Sequence, residues 1–205
     1  MKQIELNVEE INKIDLSKYN DLFVGTGSEL FFLSDEWNHA GQEHYRLFAY
    51  LSLAFDNADL LDIGMWCGAS AISLAYNPTN HVNTFDITTK ATSESFLDYV
   101  AREDVNITMN IDSFLDIKYE ELILNAELIS IDIDHSGILE YQLISFLKAK
   151  EWKGLLIMDD IDTHAGVKRV FDGISNLPKW NIKKYGHGSG TGLINFSDNI
   201  EIVLE

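Results

Sequence analysis

The chain has 205 residues, 46% hydrophobic and 11% aromatic, enough to fill the core of one domain over 1–205. Its 15 Lys and Arg stand against 33 Asp and Glu, a formal net charge of -18, which repels phosphate backbones and anionic lipids and so argues against nucleic-acid and membrane partners. Cys67 has no second cysteine to pair with, the N-terminus is mixed and acidic, and no apolar run reaches the ~18 residues of a membrane span, so a cytoplasmic protein with a small-molecule substrate is expected.

Residues 1–40 carry the weakest pattern and read as an N-terminal extension or cap, with "GTGSE" (25–29) as a loop. "GQEHYRLFAYLSLAF" (41–55) reads as an amphipathic helix. Short apolar runs then alternate with longer amphipathic ones. "LLDIG" (60–64), "HVNTFDI" (81–87), "VNITMN" (105–110), "ELISIDI" (127–133) and "GLLIMDD" (154–160) predict strands. The segments 69–76, 93–103, 113–125, 139–150 and 165–175 predict helices. Such alternation implies a parallel α/β sheet with helices on both faces. "WNIKKYGHGSGTGLINF" (180–196) breaks it with two strand-like runs around a glycine-rich turn, so at least one late strand runs antiparallel. "IEIVLE" (200–205) extends that hairpin or adds a strand.

Open parallel sheets bind ligands beyond the carboxyl ends of their strands. Those ends here carry Asp62 and Gly64, Asp86, Asp112 and Ser113, Asp132, Asp134 and His135, then Asp159 and Asp160. Polar residues end strands in any protein, and Asp112 serves equally as a helix N-cap. In "LLDIGMWCGASAISLA", Gly64 and Gly68 flank a tight turn spaced Gly-x-x-x-Gly. Trp66 fills the middle position, so the dinucleotide fingerprint is absent. The helix after this turn offers unpaired N–H groups to a carboxylate or phosphate. Asp86 can accept both hydroxyls of a ribose, and Asp112 with Ser113 can meet an adenine edge.

"DIGMWCGASA", "FDI" and "IDSF", with the late hairpin, resemble the class I S-adenosylmethionine-dependent methyltransferases over about residues 41–196. The resemblance implies a Rossmann-like, doubly wound, mostly parallel seven-stranded sheet with an antiparallel C-terminal hairpin strand. It implies S-adenosylmethionine as cofactor, with Gly64, Gly68 and Ser70 around its methionine part and Asp62 near its amino group. Asp86 would hold the ribose, Asp112 and Ser113 the base, and Asp132 the reacting end.

"IDIDHSG" followed by "LIMDDIDTH" is similar to the metal-dependent small-molecule O-methyltransferase branch, the methyltransferase 24-like proteins. That likeness implies Mg²⁺ or another divalent cation on Asp132, Asp159 and Asp160, a carboxylate cluster that would repel itself without an ion. Some catechol-type members use a lysine as base where this chain has His135, and sugar-methylating relatives use an aspartate where it has Asp134. His135 is preferred, with Asp134 open beside it and His164 a third candidate. His187, Ser189, His44 and Arg46 can reach the same edge, although a plain hairpin turn and a solvent-facing helix explain them as well. The implied reaction is O-methylation of a sugar or natural-product hydroxyl. The alternatives are an Asp-x-Asp phosphatase or glycosyltransferase, or a non-catalytic S-adenosylmethionine-binding protein. A homo-oligomer stays open.

Overall fold

The fold is seen in a computed structural model that describes residues 1–26, 32 and 34–205. Of the loop expected at 25–29, residues 27–29 lie outside the described residues. β1 (Lys2–Leu6) leads into α1 (Val8–Asn12), which Asn7 caps by accepting the N–H groups of Glu9 and Glu10. A 3₁₀ turn (Ser17–Leu22) and α2 (Tyr45–Ser52) follow. The alternating core is then β2 (Asp59–Ile63), α3 (Ala69–Leu74), β3 (His81–Asp86), α4 (Glu94–Val100) and β4 (Ile107–Ile111). It continues through α5 (Glu120–Asn125), β5 (Leu128–Ile131), α6 (Ile138–Ala149), β6 (Leu155–Met158) and α7 (Ala165–Gly173). β7 (Lys179–Asn181), β8 (Gly192–Asn195) and β9 (Ile200–Leu204) close the chain. Among the described residues, no helix is long and apolar enough to cross a membrane.

Seven strands form one sheet in the order β4-β3-β2-β5-β6-β8-β7. β8 inserts between β6 and β7 and runs antiparallel to both. β9 leaves this sheet and pairs in parallel with β1, which ties the two ends of the chain together. The helix expected over 113–125 is shorter. Asp112 accepts the Ser113 N–H at 2.8 Å, and Asp116 accepts the Lys118 N–H at 3.1 Å. These local bonds compete with the helical ladder, so only a 3₁₀ turn (Ile117–Tyr119) precedes α5.

Side chains alternate across the sheet, as strand geometry requires. Leu60, Val82, Leu128, Leu155 and Ile157 pack with α2 and α3, and Leu6, Ile11 and Phe23 of the N-terminal segment join the same cluster. Leu61, Ile63, Phe85, Ile129, Ile131, Leu156 and Met158 pack on the other face with Leu143, Leu147 and Phe171. Residues 1–26 therefore complete one face of the core as well as extending the chain.

The strands end abreast. Ile63 lies opposite both Phe85 and Ile131, and Ile131 lies opposite Met158. The hydrogen bonding runs on past the last pairs. Gly64 N–H donates to the Phe85 carbonyl at 2.9 Å, and Asp132 N–H to that of Ile63 at 2.8 Å. Asp159 N–H reaches the Ile131 carbonyl at 3.2 Å. Between β2 and β5 the strand order reverses, which opens a crevice at this edge. There Gly64 has φ +103°, and a Cβ on it would stand 1.6 Å from the Asp132 carbonyl oxygen. Gly68, at φ +94°, faces the Phe96 ring, which a Cβ would meet at 2.3 Å.

Asp62 is buried within the sheet on the face covered by α3. Its carboxylate accepts from Thr84 Oγ1 at 2.7 Å, Ser70 Oγ at 3.0 Å and Ser130 Oγ at 3.0 Å. Burial pushes its carboxyl up to about 6, against the lowering effect of the three hydroxyls. Its folded value thus lies above the 3.8 of a free aspartate, so this group loses stability as pH rises from 3.8 to about 6 and is level above that.

Two outcomes follow from this packing. Gly64→Ala should cost more than about 2 kcal/mol, read as the urea midpoint, because neither the turn nor the facing backbone can give way; a change under about 0.5 kcal/mol would mean the close approach is not real. Asp62→Asn, an isosteric change, should flatten the part of the stability profile that falls between pH 3.8 and about 6. Parallel wild-type and variant slopes over that window would show that Asp62 ionises freely.

Candidate active site

The crevice at the switch point holds a cavity of about 490 Å³. Gly64, Trp66, Asp86, Asp112 and Ser113 line one part of it, and Asp132, Asp134 and His135 another, with Ile63, Phe85, Ile87, Phe114 and Leu139 as apolar walls. Asp62, Gly68 and Ser70 do not line it. Asp62 and Ser70 bond to each other inside the fold, and Gly68 packs on Phe96. Asp86 holds the turn after β2 by accepting from Trp66 N–H at its Oδ2, at 2.9 Å, while its Oδ1 accepts from Thr88 N–H in the turn after β3, at 3.1 Å. Each Asp86 oxygen keeps a lone pair for a ligand. Trp66 has φ +47° and is largely exposed at the cavity mouth. Asp112 is paired with Lys118 and bonded to Ser113 N–H, which hold its carboxyl below the usual range.

The acids after β5 and β6 do not form the compact carboxylate triad that the sequence suggests. Asp160 takes a left-handed φ of +60°, and His187 Nδ1, 3.8 Å from its Oδ1, links it to Asp159. Asp159 Oδ1 lies 3.6 Å from His44 Nδ1, and Asp159 Oδ2 lies 3.3 Å from His187 Nδ1. Asp160 Oδ2 lies 3.1 Å from His164 Nε2 and 3.6 Å from His135 Nδ1. The His135 and His164 rings stack with centroids 4.4 Å apart. Among the described residues, the sets that bring three ligand atoms within 4.8 Å of one another are His44–Asp159–His187 and His135–Asp160–His164. Asp132 belongs to neither, although its Oδ1 lies 3.7 Å from His135 Nδ1.

Charge follows the same division. Burial alone would raise the Asp159 carboxyl, but His44 and His187 outweigh it and hold the group well below the carboxylate range. Burial lowers His44, and Asp159 more than restores it, to about 9. The Asp132 side chain is 42% exposed and lines the cavity. Its carboxyl is pushed up by withdrawal from bulk water and then by the Asp159 and Asp160 charges.

Asp134 is tied into its own turn, accepting from both the N–H and the Oγ of Ser136, at 3.2 and 3.0 Å. Arg46 turns away, to Asp35 and the Asn12 carbonyl. Glu43, which the sequence reading passed over, has its Oε1 3.2 Å from His187 Nε2. His44 and His187 were visible only as residues able to reach this edge. Nothing local in "QEHYRLF" or "YGHGSGTGL" marks them as partners of one aspartate, because the contacts span separate ends of the chain.

No protein-family model matches the chain, and no curated protein matches it in sequence. Solved structures do. Cofactor-bound Rv0187 from MTB superposes with a TM-score of 0.56 at 18% identity, over 76% of this chain and 80% of that one. The Podospora anserina methyltransferase PaMTH1, bound to SAH, gives 0.51 at 14% identity, over 75% and 79%. A Staphylococcus aureus protein assigned as a caffeoyl-CoA O-methyltransferase gives 0.53 at 17%, over 74% and 82%. With its β8 strand threaded antiparallel between β6 and β7, the chain has the Rossmann-like fold of these methyltransferases.

Proposed function

We propose that this chain is an S-adenosylmethionine-dependent methyltransferase that modifies a hydroxyl of a small molecule. The observation that carries the reading is one cavity lined by Gly64, Asp86, Asp112 and Ser113 together with Asp132, Asp134 and His135. The likeness to an SAH-bound methyltransferase and to an assigned O-methyltransferase supports it. The residues fit the cofactor. The bare Gly64 backbone admits a close ligand, and Asp86 has acceptor capacity for two vicinal hydroxyls. Phe114, Ile87 and Leu139 offer an apolar wall to a purine.

When bound, S-adenosylmethionine supplies an electrophilic methyl on a sulfonium. The chain's part is to hold the acceptor hydroxyl and remove its proton. His135 is the base we assign. It lines the cavity, its Nδ1 lies 3.7 Å from Asp132 and 3.6 Å from Asp160, and His164 stacks on its ring. The two carboxylates orient the imidazole and stabilise it once protonated. Asp134, already engaged by Ser136, is the weaker candidate. Mg²⁺ on Asp132, Asp159 and Asp160 fits poorly. That ion wants an all-oxygen octahedron, and the paired aspartates here are set among four imidazoles.

Calorimetric titration with S-adenosylhomocysteine should show micromolar binding where NAD shows none, and Asp86→Ala should weaken it more than tenfold, about 1.4 kcal/mol. No binding by the wild-type chain would sink the cofactor reading, and unchanged affinity in the variant would remove Asp86 from the site. With a panel of polyhydroxylated acceptors, His135→Ala should lower kcat by about 10²- to 10⁴-fold while leaving S-adenosylhomocysteine affinity intact. Wild-type turnover in that variant would move the base to Asp134 or His164.

A further inference from the structure

Beside the cavity, His44, Asp159 and His187 face one another in the interior. His44 is 5% exposed and Asp159 6%. His44 Nδ1 and Asp159 Oδ1 are both buried without a hydrogen-bond partner, yet they point at each other across 3.6 Å. An ordinary imidazolium–carboxylate pair closes that gap, because two orphaned buried polar atoms are expensive. Something between them would satisfy both.

We infer that His44 Nδ1, Asp159 and His187 Nδ1 form a binding site for a nitrogen-preferring divalent transition ion of the zinc or iron(II) class. Bonds of about 2.0–2.2 Å set neighbouring ligand atoms about 3.0–3.5 Å apart. His44 Nδ1 lies 3.6 Å from Asp159 Oδ1 and His187 Nδ1 3.3 Å from Asp159 Oδ2, both longer than a good charged hydrogen bond, and one ligand atom from each of the three residues lies within 4.8 Å of the other two. Two imidazoles with one carboxylate select such an ion over Mg²⁺ or Ca²⁺. The outer shell is also built. Glu43 Oε1 stands 3.2 Å from His187 Nε2 and would keep the proton on that nitrogen once an ion displaces the one on Nδ1. Glu43 is itself buried, which fixes the ring. Phe48, stacked on His44 with centroids 4.4 Å apart, fixes the other. Ser189 Oγ lies 2.5 Å from His187 Nδ1 and would yield that nitrogen to a bound ion. The excess of carboxylates from Asp159, Asp160, Asp132 and Glu43 around the site favours a cation. Asp132 lies within electrostatic reach of Asp159, so the ion would sit against the edge of the cavity. The site stands whether or not the chain transfers methyl groups, since metal binding is read directly.

The test is titration of the EDTA-stripped full chain with Co²⁺, followed by its visible d–d absorption, with Zn²⁺ and then millimolar Mg²⁺ as competitors. A single tight site displaced by Zn²⁺ and not by Mg²⁺ is expected, and it should be lost in His44→Ala and in His187→Ala when circular dichroism shows both folded. No Co²⁺ binding, or displacement by Mg²⁺, overturns the proposal. So does binding that survives those variants and disappears in His164→Ala, which would place the ion on the outer His135–Asp160–His164 set. Should the alanine variants fail to fold, Glu43→Gln decides, because it leaves all three donors in place. Co²⁺ affinity about 10- to 100-fold weaker is expected, and unchanged affinity overturns the site.

Discussion

The backbone of Gly64 runs directly against the carbonyl of Asp132, and the rest of this edge depends on that contact. β2 and β5 are the two strands from which the sheet order departs in opposite directions. Their ends stay together only because no side chain stands between them. The hydrogen bonds from Gly64 to Phe85, from Asp132 to Ile63 and from Asp159 to Ile131 then carry the register across four strands. Asp132 and Asp159, each one residue past the end of its strand, are thereby delivered to the same sheet edge as Asp86, the last residue of β3.

Crowding acids at one edge raises an electrostatic problem that the structure meets differently at each position. Asp62 is withdrawn into the core and served by three hydroxyls. Asp86 spends one oxygen on the backbone of the glycine turn, at Trp66, and the other on the Thr88 N–H of its own turn. Asp112 takes Lys118. Asp159 and Asp160 are set among four histidines, with His187 near both, and Asp132 is left facing the cavity with its charge disfavoured. The polar groups that remain open to a ligand are thus few and specifically placed.

The distant ends of the chain supply what the strand tips lack. α2 and the turn before it bring Glu43 and His44 over β6, and their position rests on a core face that Leu6, Ile11 and Phe23 help to fill. The β7–β8 connection brings His187, because β8 returns antiparallel beside β6 and starts its pairing at the same edge, Met158 opposite Gly192. A purely parallel sheet would have sent that connection to the opposite end.

The alternation of apolar runs and amphipathic stretches, the glycine turn and the acids at the strand ends were legible from the sequence, because each depends on neighbours within a few residues. Strand and helix periodicity, the absence of a Cβ and the polarity of a strand tip are local properties. The pairing of β9 with β1 was not legible, nor was the distribution of Asp159 and Asp160 between two histidine pairs. His44, Asp159 and His187 are scattered over most of the chain, and no spacing rule links them. Only the folded register of β6 against β8, with α2 packed over it, decides which imidazole meets which carboxylate, and that register is a sum of many weak contacts that no single segment encodes.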